Sequence, residues 1–196
     1  MPKNSKKQRR RKALADLKDA ARTRHPVAIK IRKGRGWNED GVVLDVGKRW
    51  FLLAVIRDGA YPDGFQLRRT KDVRKVRVET QFLPALVEDE RWPLSWPGPA
   101  LKLSDPRAFL PQLDCVADVV SIREFARKPG SFWVGQLLGG GRKRFWLRTL
   151  SPQCVWDNTY IRPRFDDLTQ VDLFDDYANA LLRVAGPPDS GEGGDD

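Results

Sequence analysis

Few residues in this chain are equipped for catalysis. The only histidine, His25, stands beside Pro26, so Ser-His-Asp, Cys-His and histidine-based metal chemistry all lack their central base or ligand. The two cysteines, Cys115 and Cys154, have no partners at metal-binding spacing. A small secreted scaffold would carry more of them, so they read as reduced, half-buried thiols. The carboxylates Asp166, Asp167, Asp172, Asp175 and Asp176 are dense enough to hold a cation. Asp167 and Asp175, however, correspond to Asp72 and Thr80 in an earlier stretch, which fits turn and cap residues. Gly139-Gly140-Gly141-Arg142-Lys143 lacks the Gly-Lys-Ser/Thr ending of a phosphate loop and reads as a hairpin. No enzyme, cofactor, metal set or small-molecule substrate is expected.

Binding chemistry is better represented. Lys48-Arg49 precedes Trp50-Phe51, and Arg142-Lys143-Arg144 precedes Phe145-Trp146. In a strand two successive aromatics point to opposite faces, so one can serve a core while the other stacks on a base beside the cations. The alternative is that both are buried and the cations only snorkel at the rim. The candidate nucleic-acid contacts are Lys6, Lys7, Arg9, Arg10, Arg11 and Lys12 near the N-terminus, Arg32, Lys33, Arg35, Lys48, Arg49, Arg68 and Arg69 further on, and Arg142, Lys143 and Arg144.

The charge distribution points the same way. Of the net +10, residues 1–26 carry +8 and residues 189–196 carry −4, which leaves +6 for the stretch between. A block of basic residues favours polyanions through counterion release. RNA or DNA is therefore the first partner to consider, and a solubilising extension that binds nothing is the alternative. No apolar run is long enough for a membrane helix or a secretory leader, so a cytoplasmic location without membrane association is expected.

The elements that position these residues come in two copies. Lys48 to Leu86 aligns with Lys143 to Leu181 at an offset of 95, with eight of 39 positions identical and apolar character largely kept. That is more than twice the roughly one in 15 expected by chance. Gly41 aligns with Gly135 after a one-residue shift. Two repeats are too few for a solenoid, which leaves a duplicated small domain. "VAIKIRK" and "VRKVRVE" alternate with period two, and "RWFLLAVI" is a continuous apolar run suited to a central strand buried on both faces. Asp58-Gly59, Asp63-Gly64 and Gly139-Gly140-Gly141 supply turns. Each copy should end in a short helix, over "TQFLPALVEDE" and "DDYANALLRVAG", capped by Thr80 and Asp175. A basic helix is expected from about Lys6 to Thr23, with Leu14, Leu17 and Ala21 on its apolar stripe.

With about five strands per copy, a small bent barrel hides the sheet edges best. "LRRTKDVRKVRV" and "PRFDDLTQVDL" resemble the end of Sm-like and SH3-like barrels, and the chain is similar to bacterial proteins with two such units. Sm-like relatives imply RNA binding and ring assembly. The expected fold is mainly β, with two tandem small SH3/Sm-like barrels, each followed by a short helix, and a basic N-terminal helix. The expected boundaries are 1–26 for the basic tail, 27–90 for the first barrel, 91–113 for a Pro/Trp linker, 114–186 for the second barrel and 187–196 for a disordered acidic tail. Pro93, Pro97, Pro99, Pro106 and Pro111 argue against a regular helix in the linker. Trp92 and Trp96 should hold it against the barrels. Function is then non-enzymatic nucleic-acid binding, or alternatively a protein-interaction module whose edges grip a partner.

Overall fold

The computed structural model describes residues 6–31, 38–57, 61–79, 95–124 and 130–188. Outside them lie Arg32, Lys33, Arg35, the Asp58-Gly59 turn, the expected helix after the first copy, Trp92 and the acidic tail. The fold is mainly β. After helix α1 (Lys6–Thr23) come β1 (Pro26–Ile31), β2 (Asn38–Val46), β3 (Trp50–Arg57), β4 (Tyr61–Arg69) and β5 (Val73–Val78). Helix α2 (Pro106–Leu113) separates these from β6 (Val120–Arg123), β7 (Phe132–Gly140), β8 (Phe145–Leu150), β9 (Trp156–Ile161), β10 (Gln170–Leu173) and helix α3 (Asp176–Ala185).

All ten strands join one antiparallel sheet in the order β5-β1-β2-β3-β4-β10-β6-β7-β8-β9. Each half repeats one five-strand order, with β10 standing to β6–β9 as β5 stands to β1–β4. The duplication is thus visible in the topology, but the halves share an edge. Strand β4 pairs with β10 across the seam, from Phe65↔Leu173 to Arg68↔Gln170. Among the described residues no pairing closes either half on itself, and β5 and β9 end the sheet.

Alternation along β3 explains the layers. Trp50, Leu52, Ala54 and Ile56 point to a central core that also takes Phe65 and Leu67 of β4, Phe145 and Leu147 of β8, and Val171 and Leu173 of β10. Phe51 and Leu53 point the other way and pack under α1. The buried stripe of α1 is Ala13, Leu17 and Ala20, with Leu14 and Ala21 only partly covered. Leu17 is fully buried there between the two alanines. At the far end, Ala178 and Leu181 of α3 cover Val134 and Leu150.

The proline-rich connection contains a helix, contrary to expectation. Asp105 caps α2 by accepting from the Arg107 N–H at 2.9 Å, and Pro106 occupies the first turn, where its missing N–H costs nothing. Phe109, Leu110 and Leu113 enter the central core, and the Phe109 ring meets Trp50 edge-on at 5.1 Å. Upstream, the Leu103 carbonyl accepts from the Trp50 N–H at 3.1 Å. A Cβ at Gly47 would lie 2.4 Å from Leu103, so glycine is needed where the connection touches the β2–β3 turn. Trp96 lies edge-on to Phe65 at 5.3 Å, so it packs, as expected of the connection. The first strand of the second half starts at Val120.

Asp63-Gly64 is not a turn but part of β4. Gly64 has φ 69°, and a Cβ there would lie 2.2 Å from the Leu173 carbonyl oxygen across the seam. Beside it, Asp63 accepts from the Asp176 N–H at 2.9 Å and so tethers the start of α3 to the first half. Further along, Gln66 donates to Asp172 at 2.8 Å and accepts from Arg68 at 2.7 Å. Burial pushes the Asp172 carboxyl up from 3.8 to about 6, against hydrogen bonds from Gln170 and Gln66 and the attraction of Arg68. Both free cysteines are unpaired with each other, and Cys115 is exposed rather than half-buried because it follows α2 at the surface.

Replacing Gly64 with Val forces both a left-handed backbone and a clash at the seam, and is expected to cost roughly 3 kcal/mol. Urea unfolding followed by tryptophan fluorescence checks this; an unchanged midpoint would mean that β4 and β10 are not held together there. A second expectation concerns pH. A carboxyl raised in the folded state binds its proton more tightly there, so its contribution to stability is complete near pH 3.8 and lost as pH rises through about 6. The loss amounts to about 3 kcal/mol at most. Asp172→Asn should flatten the stability-pH profile over that window relative to wild type in urea titrations, whereas a parallel profile would contradict the buried seam.

Candidate nucleic-acid interface

The two Lys-Arg turns lie on opposite halves of the sheet, and α2 brings them together. Lys48 and Arg49 sit in the exposed β2–β3 turn, and Arg142 to Arg144 in the exposed β7–β8 turn. Asp105, already capping α2, accepts from Arg49 at 3.5 Å and, with both oxygens, from Arg107 at 3.0 Å. Arg107 in turn donates to the Arg142 carbonyl at 3.0 Å and to Asp166 at 3.3 Å, with its guanidinium 5.2 Å from the Phe165 ring. The Asp105–Arg107 pair thus links the two repeated turns, Asp105 holding Arg49 of one and the Arg107 fork, suited to several acceptors at once, reaching the backbone of the other.

Beside this junction is a cleft of about 220 Å³. Its rim carries Arg10 of α1, Lys48, Arg49, Arg69 and Lys71, against the carboxylates Asp105 and Asp166. Trp50, Phe165 and Leu168 of the central core form its floor. The cations are close enough to feel one another. Partial burial lowers the Lys71 pKa, and the neighbouring charges of Arg69, Arg10 and Arg49 lower it further, against the attraction of Asp72. A site in which cations repel one another is one where an anion is electrostatically favoured.

The predicted residues divide sharply. Lys7, Arg9, Arg10 and Arg11 are exposed on the first turns of α1; Lys12 is exposed too but holds Asp16 at 2.8 Å. Lys6 belongs to the same helix. Lys48, Arg49, Arg142, Lys143 and Arg144 are exposed around the junction. Arg68 and Arg69 are buried, contrary to the expectation of free surface cations. Arg68 pairs with Glu39, and Arg69 donates to Asp72 at 2.7 Å. A half-buried strand pattern conceals this, because it does not show that each arginine has a carboxylate beside it, Glu39 for Arg68 and Asp72 for Arg69. Trp50, Phe51 and Phe145 are also buried, which removes them as base-stacking residues, and only Trp146 of the four keeps part of its surface.

Sequence reasoning missed Asp105 and Arg107. Asp-Pro at a helix start is a readable signal, but the density of prolines around it argues the other way. Among the suspected metal carboxylates, Asp175 caps α3 through the Ala178 N–H at 2.9 Å, Asp172 lies in the seam and Asp166 serves Arg107. Among the described residues, no group of three or more His, Cys, Asp or Glu could hold a metal, and no helix is long and apolar enough to cross a membrane. Comparison of the chain with protein-family models, curated proteins and solved structures finds no match.

If the rim cations repel one another, salt should stabilise the protein by screening them. Lys71→Gln is expected to blunt that salt response while leaving stability at low salt equal to or above wild type, as read from urea midpoints at low and high salt. A variant less stable than wild type at low salt would show that Lys71 is held by attraction instead.

Proposed function

We propose that this chain is a cytoplasmic, non-enzymatic nucleic-acid-binding protein that grips RNA or DNA mainly through phosphates. One observation carries the reading: α1 and the β2–β3 turn, far apart in sequence, bring Arg10, Lys48 and Arg49 to the rim of one cleft, and Arg107 beside it holds the backbone of the cation-rich β7–β8 turn at the Arg142 carbonyl. A charge run that merely solubilises a surface has no reason to converge. Backbone contacts of this kind supply affinity and register more than sequence discrimination. The repeated five-strand order supports taking each half as a descendant of one small barrel-type unit, of the Sm-like and SH3-like kind, fused here at the seam.

Substitution tests this better than truncation, since removing α1 would uncover Phe51 and Leu53. Fluorescence anisotropy with labelled RNA and DNA across a salt series should show a log-log salt slope of several counterions. Lys48→Gln with Arg49→Gln should weaken binding and reduce the slope by about 1.5 to 2, and Arg9, Arg10 and Arg11 to Gln by somewhat more. Absence of binding, or slopes indifferent to these charges, would overturn the reading and point to a protein partner.

A further inference from the structure

The face of β8 and β9 turned away from the central core is only partly covered. Alternation sends Phe145 and Leu147 into that core, so Trp146, Arg148 and Leu150 point outward. Leu150 goes under α3, together with Val134 and the partly buried Trp156. Trp146 and Arg148 are beyond its reach. Across the ladder, Arg148 faces Tyr160, whose ring lies 6.4 Å from Trp146 and is 46% exposed. Arg162 donates to the Tyr160 hydroxyl at 3.1 Å with its guanidinium 5.2 Å from the ring, and Arg148 lies 5.6 Å from the Trp156 ring. Among the described residues neither guanidinium is ion-paired to a carboxylate.

The counterpart of this face in the first half is closed. There Phe51 and Leu53 of β3 are fully buried under α1. The second half therefore keeps exposed an aromatic surface that its twin covers, and surrounds it with cations. It is also linked to the cleft. Arg107 contacts Arg142, and two residues on Arg144 donates to the Arg162 carbonyl at 2.6 Å, next to Tyr160. A path of positive charge leads from the cleft around the β7–β8 turn to Trp146 and Tyr160.

We infer that Trp146 and Tyr160, flanked by Arg148 and Arg162, form a stacking platform for unpaired nucleobases, so that the preferred ligand is single-stranded. This rests on the nucleic-acid reading above and adds the ligand class. The cleft has core residues as its floor, whereas Trp146 points away from the core, so one ligand must turn around the end of β8 to reach both. A duplex is stiff over some 150 base pairs and does not follow such a bend, but a single strand does. Exposed aromatic rings then offer stacking to any base, which suits a surface without base-edge readout.

The test compares three labelled ligands of equal length, about 15 nucleotides: a single strand, the same phosphodiester chain without bases, and a duplex. The full chain should bind the single strand about tenfold or more tighter than the abasic strand, with quenching of tryptophan fluorescence. Tyr160→Ala should erase most of that difference yet leave abasic binding intact, and Tyr160→Phe should retain it. Equal affinity for single and abasic strands, or a preference for duplex, with the Lys48 and Arg49 variants still weakening binding, would overturn the platform and leave the nucleic-acid reading standing. No binding to any of the three would overturn both.

Discussion

The pairing of β4 with β10 is the constraint on which the rest of the molecule depends. Four residue pairs, Phe65↔Leu173 to Arg68↔Gln170, turn two five-stranded units into one sheet. The join demands a glycine at 64, because the Leu173 carbonyl occupies the space of a side chain. It also buries Asp172 with Gln66, Gln170 and Arg68, so the polar groups must satisfy one another in place of water. A seam built this way accepts one register, since a slip by one residue would exchange Leu67 and Val171 for the polar side chains beside them.

Once the halves are fixed edge to edge, a single central core spans both, and α2 is positioned at its margin. That placement has an electrostatic consequence. The β2–β3 and β7–β8 turns, each rich in cations, are tied to α2 from either side, Arg49 through Asp105 and the Arg142 carbonyl through Arg107, which also holds Asp166. Two of the arginines that look most available in the sequence are buried and paired, Arg68 with Glu39 and Arg69, at the cleft, with Asp72. The exposed cations at the cleft are Arg10 of α1, Lys48 and Arg49 of the β2–β3 turn, and Lys71.

Much of this architecture is legible in the sequence. Continuous apolar character marks β3 as central, and the 95-residue offset predicts that Trp50 and Phe145 occupy equivalent places, as they do in the shared core. Asp72 and Asp167 both sit in turns, and Asp175 is a cap. What stays hidden is the relation between the copies. Period-two alternation says that Gln66, Arg68 and Asp172 share a pattern with solvent-facing residues, and nothing local says that another strand will cover them. The helix within the proline-rich connection is hidden for a similar reason. Pro111 opposes it locally, and the burial of Phe109, Leu110 and Leu113 against both halves outweighs that.

The same limit applies to the repeated aromatics, of which some are core residues and one keeps part of its surface. The repeated motif of Lys-Arg followed by two aromatics has the same chemistry in both copies, yet its meaning is set by what lies over each strand. In the first half α1 closes the outer face, so both Trp50 and Phe51 are core residues. In the second half α3 lies nearer the Leu150 end of β8 and covers only part of that face, so Phe145 is core and Trp146 is not. The two halves have corresponding outer faces, and in the first the basic helix docks on it. The remaining one leaves Trp146 partly exposed and Tyr160 open to solvent, and under the proposal above it is the surface a base would meet.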